Sequence, residues 1–264
     1  MRRITFLSIL MLLSSLAVAQ TADVTLTRLD CGTGAEDGRD VSRFSDTFAY
    51  PDQKVKFTYS CYLIKHNEHY LVWDAGLPDN GSANAPKRNL VSLLDELDVD
   101  PKQVNYLGIS HYHGDHTGQA AMLPNATLLI GKGDWDAISN GSANGAPFQT
   151  WIAGDAKVEA LSADTDVFGD GTVVILTMPG HTPGHSSLLV RLKDMGNVLL
   201  SGDLAHFHEN YETNGVPTFN TDRGDSLASF DRFKKIADNL DATVILQHDV
   251  RDIDKLPAFP KAAK

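Results

Sequence analysis

The chain has 264 residues, 42% of them hydrophobic, and a formal net charge of −11 from 34 acidic against 23 basic side chains. That length suits one large α/β domain or two smaller ones. A chain this acidic lacks the basic stripe that nucleic-acid phosphates require, and it has little attraction for anionic lipid.

Met1-Arg2-Arg3 opens the sequence, an apolar stretch follows, and Ala17-Val18-Ala19 closes the segment. A basic start, a short apolar run and a small-residue site describe a secretory signal peptide over 1–19, too short for a membrane span. Cleavage leaves Gln20 first, brings the charge to about −13, and sends the product to the periplasm or outside the cell. Residues 20–264 hold no linker, low-complexity tract or second long apolar segment, so a single domain free of the membrane is expected.

Strands are expected near 24–30, 57–65 and 70–74. Cys31 and Cys61 lie at or in the first two; in an oxidising compartment they can pair, with two buried free thiols an equal alternative. His66 and His69 flank a hairpin turn and read as solvated. The third strand delivers Asp74 ahead of Gly76. A helix fits 88–98, and a strand near 104–110 runs into His111-Tyr112-His113-Gly114-Asp115-His116. Imidazole and carboxylate are the ligand types of zinc and its neighbours. His111 and His113 alternate along an extended segment and can point the same way. Asp115 and His116 lie past the glycine and can turn toward a second ion. Two metals in one site usually mean hydrolysis.

Further strands near 126–130, 173–178, 186–192, 197–201 and 243–247 follow, and three repeat this pattern of apolar run then ligand. The strand at 173–178 leads to His181, the one at 197–201 to Asp203, and the last to His248. His185 follows His181 across Pro183, which argues against a helix there, and reads as a packing or ligand-supporting residue. Helices fit after His116, at 133–139 and at 225–239, the last with Ser226 as its cap. Trp135, Phe148 and Trp151, with Phe44, Phe48, Tyr50, Phe207, Tyr211 and Phe219, form aromatic loops that can line an apolar groove.

His111-x-His113-x-Asp115-His116, Gly180-His181-Thr182, Gly202-Asp203 and His248, in that order from about Asp74 to Asp249, resemble the metallo-β-lactamase-fold hydrolases. The resemblance implies an α/β architecture, the αββα sandwich, with the site along one edge. It implies that His111, His113 and His181 hold one ion, that Asp115, His116 and His248 hold the other, and that Asp203 bridges them. Asp74 would orient an imidazole from outside. Two divalent ions, zinc by default though iron, manganese or cobalt suit the same ligands, would activate a shared water for attack on a carbonyl. Asp115 can shuttle its proton.

Within that family the bridging aspartate resembles lactonases and glyoxalase II-like thioesterases rather than most β-lactamases. No basic cluster near the C-terminus fits glutathione, and export fits a signal-degrading enzyme. The expectation is therefore an N-acyl homoserine lactonase acting on a small molecule, with β-lactam or thioester hydrolysis as alternatives and a non-catalytic metal-binding protein as a distant one. The lactonase branch places a tyrosine three residues after the bridging aspartate. Here that residue is His206, whose imidazole can protonate a leaving alkoxide. Oxidoreductase relatives carry glutamate in place of His113.

Overall fold

Residues 22–264 are described by a computed structural model. The signal-peptide expectation for 1–19, and Gln20 as the mature start, fall outside the described residues. In chain order the strands are β1 Val24–Thr33, β2 Arg39–Asp40, β3 Lys54–Val55, β4 Thr58–His66, β5 His69–Trp73, β6 Tyr106–Ile109, β7 Thr127–Gly131, β8 Val158–Leu161, β9 Thr165–Asp166, β10 Val173–Thr177, β11 Ser186–Leu192, β12 Gly196–Leu200 and β13 Thr243–Ile245. The helices are α1 Leu90–Asp95, α2 Gly114–Thr117, α3 Lys132–Ser139, α4 Gln149–Ile152, α5 His208–Thr213 and α6 Arg223–Leu240.

Two sheets hold the fold together. One runs in the order β1-β4-β5-β6-β7-β8 and the other β13-β12-β11-β10-β9. Their facing sides interleave Leu26, Ile64, Leu71 and Trp73 with Ile175, Leu188, Val190, Leu200 and Ile245. The period of two explains the layering. Leu188 and Val190 point into this central core, whereas Leu189 between them points outward, under Phe230 and Phe233 of α6. On the other outer face, Leu63, Val72, Leu107 and Leu128 pack against Leu90, Leu93 and Leu94 of α1 and against Phe148 and Trp151. The result is the αββα sandwich that the resemblance implies.

The parallel pairings β5 with β6 and β12 with β13 bring four strand ends to one edge. Asp74, His111, Asp203 and His248 all follow those ends. Cys31 and Cys61 are joined as a disulfide between β1 and β4, with Cα atoms 5.7 Å apart. Among the described residues no helix is long and apolar enough to cross a membrane.

Two local expectations change. The cap of α6 is Asp222, whose carboxylate accepts the Asp225 N–H at 2.7 Å. Ser226 lies inside the helix, and its hydroxyl donates back to the Asp222 carbonyl. An aspartate is as good a cap as a serine, and the backbone turns helical one residue after it. His66 is buried rather than solvated: its Nε2 meets Asp170 at 2.7 Å and its ring stacks on Phe168 at 4.1 Å, while His69 is exposed. The very short β2, β3 and β9, together with β8, α4 and α5, carry too little periodicity to be foreseen.

Candidate metal centre

Asp74 sits in the left-handed region at φ 59°, an uncommon place for a residue with a Cβ. That turn aims its carboxylate back across the sheet. Oδ1 accepts the Ser110 N–H at 2.7 Å; Oδ2 accepts the Ser110 hydroxyl at 2.9 Å and His116 Nδ1–H at 2.8 Å. Gly202, at φ 55°, makes the corresponding turn before Asp203; a Cβ there would lie 2.7 Å from the His185 Nε2. Both turns present buried carboxylates where α/β strands commonly expose their reactive groups.

The first cluster is three imidazole nitrogens. His111 Nε2 lies 2.9 Å from His113 Nδ1 and 3.2 Å from His181 Nε2, and the last two are 3.0 Å apart. The second is Asp115, His116 and His248, with His248 Nε2 3.8 Å from Asp115 Oδ2. Asp203 stands between them. Its Oδ2 is 3.6 Å from His111 and 3.4 Å from His181, while its Oδ1 is 3.0 Å from His116 Nε2 and 2.9 Å from His248 Nε2.

The outer nitrogens fix the tautomers. Nδ1–H of His111 faces the Ser110 hydroxyl oxygen at 3.1 Å, that of His181 the Asn220 Oδ1 at 2.9 Å, and that of His248 the Thr58 carbonyl at 2.9 Å. Each of these rings therefore turns an unprotonated Nε2 inward. In the first cluster the inward Nε2 atoms of His111 and His181, 3.2 Å apart, therefore carry bare lone pairs, which repel without a cation between them. They match instead the edge of a tetrahedron of metal–nitrogen bonds, roughly 3.3 Å for bonds of about 2.0 Å. The buried His116 Nε2, 3.0 Å from Asp203 Oδ1, belongs to the second donor group. The donor set fits divalent metal at two positions, each holding Asp203.

The electrostatics agree. Burial pushes His111 and His181 well below the ordinary histidine value, and His113 also down, so all three stay neutral and free to ligate. For His116 burial opposes the charge, but Asp203, Asp74 and Asp115 overcome it and raise the value well above normal. For Asp203 burial is likewise overcome, and His116, His248 and His206 hold its carboxyl well below the usual range.

His206 is buried, with Nε2 3.1 Å from Asp203 Oδ2, its backbone N–H bonded to Asn210 Oδ1 and its ring stacked near His248. His185 is also buried; its Nε2 accepts the Asp203 backbone N–H, and its ring packs against those of His111 and His181. A cavity of about 580 Å³ opens over Asp115, Asp203, His206 and His248, walled by Phe44, Phe57, Tyr59, Phe219, Arg39 and Arg43.

Part of the aromatic expectation fails here. Phe44 and Phe219 line the cavity, but Phe148 and Trp151 are core residues, and the Trp151 indole donates to the Ala126 carbonyl. Trp135 packs against that same core. Phe48 is 82% exposed and off the cavity, Tyr50 and Phe207 lie behind the wall, and Tyr211 packs on Phe233. An apolar side chain in a glycine-rich segment buries wherever the nearest core is, and here that core is under the first sheet.

Sequence reasoning missed Asp134, Asn220, Tyr59 and both arginines. Asp134 ties the two histidine loops together: its carboxylate accepts the Tyr112 N–H at 3.0 Å, the Thr182 hydroxyl at 2.8 Å and the Gly184 N–H at 2.6 Å. Its partners lie 22, 48 and 50 residues away, so no local pattern marks it.

Comparison with known proteins places this geometry. Residues 56–248 match the model of the metallo-beta-lactamase superfamily. Two similar proteins named N-acyl homoserine lactonase AttM come from Azorhizobium caulinodans, 32% identical over 65% of this chain, and Rhizobium radiobacter, 33% identical over 60%. The alignments span 67% and 63% of those proteins' own length, about two thirds in each case. An N-acyl homoserine lactonase of Bacillus sp is 26% identical over 80% of this chain and 89% of its own. The crystal structure of a quorum-quenching N-acyl homoserine lactone lactonase superposes with a TM-score of 0.75 at 24% identity, covering 90% of this chain and 97% of that one, which establishes likeness of fold.

Proposed function

The chain belongs to the metallo-β-lactamase superfamily of metal-dependent hydrolases, and from that premise we propose that it is an exported dinuclear lactonase, opening N-acyl homoserine lactones with two divalent ions, zinc by default. The observation that carries the reading is the division of Asp203, with one carboxylate oxygen facing each nitrogen cluster. The similar proteins named N-acyl homoserine lactonase supply the substrate class. The leader-like segment at 1–19 and the Cys31–Cys61 disulfide support export.

His111, His113 and His181 would hold one ion, Asp115, His116 and His248 the other, and Asp203 both. When bound, the ions supply a water activated near neutral pH and a Lewis acid for the lactone carbonyl oxygen. The protein's own groups manage the protons. Asp115, 23% exposed in its side chain and open to the cavity, takes the proton of the attacking water. As the ring C–O bond breaks, His206 gives a proton to the departing alkoxide, which becomes the homoserine hydroxyl. Asp74 and Asn220 hold His116 and His181 in register from outside, and His185 holds the backbone of Asp203. Phe44, Phe57 and Phe219 give the acyl chain an apolar wall.

The test is a proton-release assay on metal-loaded protein with an acyl-homoserine lactone series, a β-lactam and a glutathione thioester. Lactones turn over fastest, and Asp203→Ala abolishes that turnover. Dominant β-lactam or thioester turnover with inert lactones removes the substrate assignment.

A further inference from the structure

Acidic side chains outnumber basic ones by 34 to 23, so an arginine without a carboxylate partner is out of keeping with this chain. Among the described residues, Arg88 pairs with Glu96, Arg223 with Asp46, Arg232 with Asp164, and Arg251 with Asp249 and Glu209. Arg28 donates to Ser60 and Thr58, and Arg191 to the Gly171 carbonyl. Arg39 and Arg43 differ from all of these. Their guanidinium groups rest on aromatic rings instead: Arg39 at 5.4 Å from Phe44 and 5.6 Å from Phe57, Arg43 at 5.5 Å from Phe219. Stacking occupies the flat faces and leaves the in-plane N–H fork, the edge that grips a carboxylate, without an acidic partner, with the Tyr59 phenol beside Arg39.

Both arginines are exposed at the mouth of the cavity over the metal centre, on the same wall as Tyr59. Tyr59 is 7% exposed and its ring packs edge-on against His248, which sets its phenol between the arginine side and the centre. No nearby carboxylate forms an ion pair with either arginine: Asp37 pairs with Lys54, Asp115 and Asp203 belong to the ligand clusters, and Asp40, on the same cavity wall, accepts the Ser42 N–H with one oxygen.

We propose that Arg39 and Arg43, with Tyr59, form an anion-binding subsite, and that the preferred lactones carry a carboxylate on the acyl part remote from the ring. The inference rests on the lactonase reading for its substrate class, and on the arginine geometry alone for its charge. A neutral acyl chain meets the same aromatic wall but leaves both forks unused.

The experiment compares two compounds that differ only at the chain end, a carboxylate against its methyl ester. Each is made both as the homoserine lactone and as the cyclopentylamide, which has no lactone ring to open. Calorimetry on the holoenzyme should give the carboxylate amide a Kd at least about tenfold lower than its ester. The gap should shrink between about 0.05 and about 0.5 M salt. It should collapse in Arg39→Gln/Arg43→Gln, and the KM ratio of the two lactones should follow it. Equal Kd values for the two amides overturn the proposal. So does a ratio that persists in the double variant, which would put the carboxylate on the metal centre. If neither lactone is hydrolysed, the lactonase reading fails and the amide titration still decides the subsite.

Discussion

His185 Nε2 accepts the backbone N–H of Asp203 at 2.9 Å, while its Nδ1–H donates to the Met178 carbonyl at 2.8 Å. One fully buried ring thus spans from the end of β10 to the bridging carboxylate. Burial pushes its value down to about 4, so it stays neutral and keeps this bonding across the physiological range.

Removing that ring should loosen the centre without removing a ligand. His185→Ala orphans a buried N–H and a carbonyl and opens a cavity, a loss of about 3 kcal/mol. In a domain of this size that is a fall in Tm of roughly 6–12 °C, read by thermal unfolding. Metal affinity should fall about tenfold or more, read by competition with a chromogenic chelator. Unchanged affinity would make His185 a packing residue alone.

Asp134 gives a pH signature. Burial outweighs its three donors and raises its carboxyl to about 6 against an unfolded value near 3.8. Between those values the native state binds a proton that the unfolded chain does not, so this group's contribution to stability falls as pH rises from about 4 to 6. Asparagine does not titrate. Asp134→Asn should therefore compare better with the parent at pH 7 than at pH 4.5, by about 2 kcal/mol. Urea unfolding of the chelator-treated proteins at both pH values measures it, and a difference of opposite sign contradicts the assignment.

His206 is expected to act in the chemical step. His206→Ala should lower kcat on lactones about 100-fold with metal content intact, and His206→Tyr, which restores a donor, should recover part of it. A change confined to KM would make the residue a binding group.

The acyl wall separates two aromatic residues that look alike in sequence. Trp151→Ala should cost about 3–5 kcal/mol of stability, as a buried aromatic truncation does, and leave chain-length preference unchanged. Phe219→Ala should alter that preference with a smaller loss. Lactones of graded acyl length, with thermal unfolding alongside, distinguish them.

These contrasts show where the sequence is legible. All seven candidate ligands follow apolar runs or sit in the His-rich segment, and a strand end followed by histidine or aspartate is a local pattern. Nine of the thirteen strands were expected from the same apolar runs. Asp134, Asn220 and Tyr59 are not legible because their roles depend on partners brought together by the sandwich: Asn220 meets His181 39 residues away, and Tyr59 meets His248 across the two sheets. Trp151 misled because an aromatic side chain does not state which core it will enter. Ser226 misled because Asp222, also a good cap, stands four residues earlier.

The central claim is that Asp203 joins two ions in one working centre. Stepwise addition of zinc to the chelator-treated protein, with bound metal and lactone kcat/KM measured at each step, tests it most directly. The account predicts two ions per chain, activity that appears with the second equivalent, and an Asp203→Ala variant that neither retains both ions nor opens the lactone. Full activity at one equivalent, or in that variant, would contradict it.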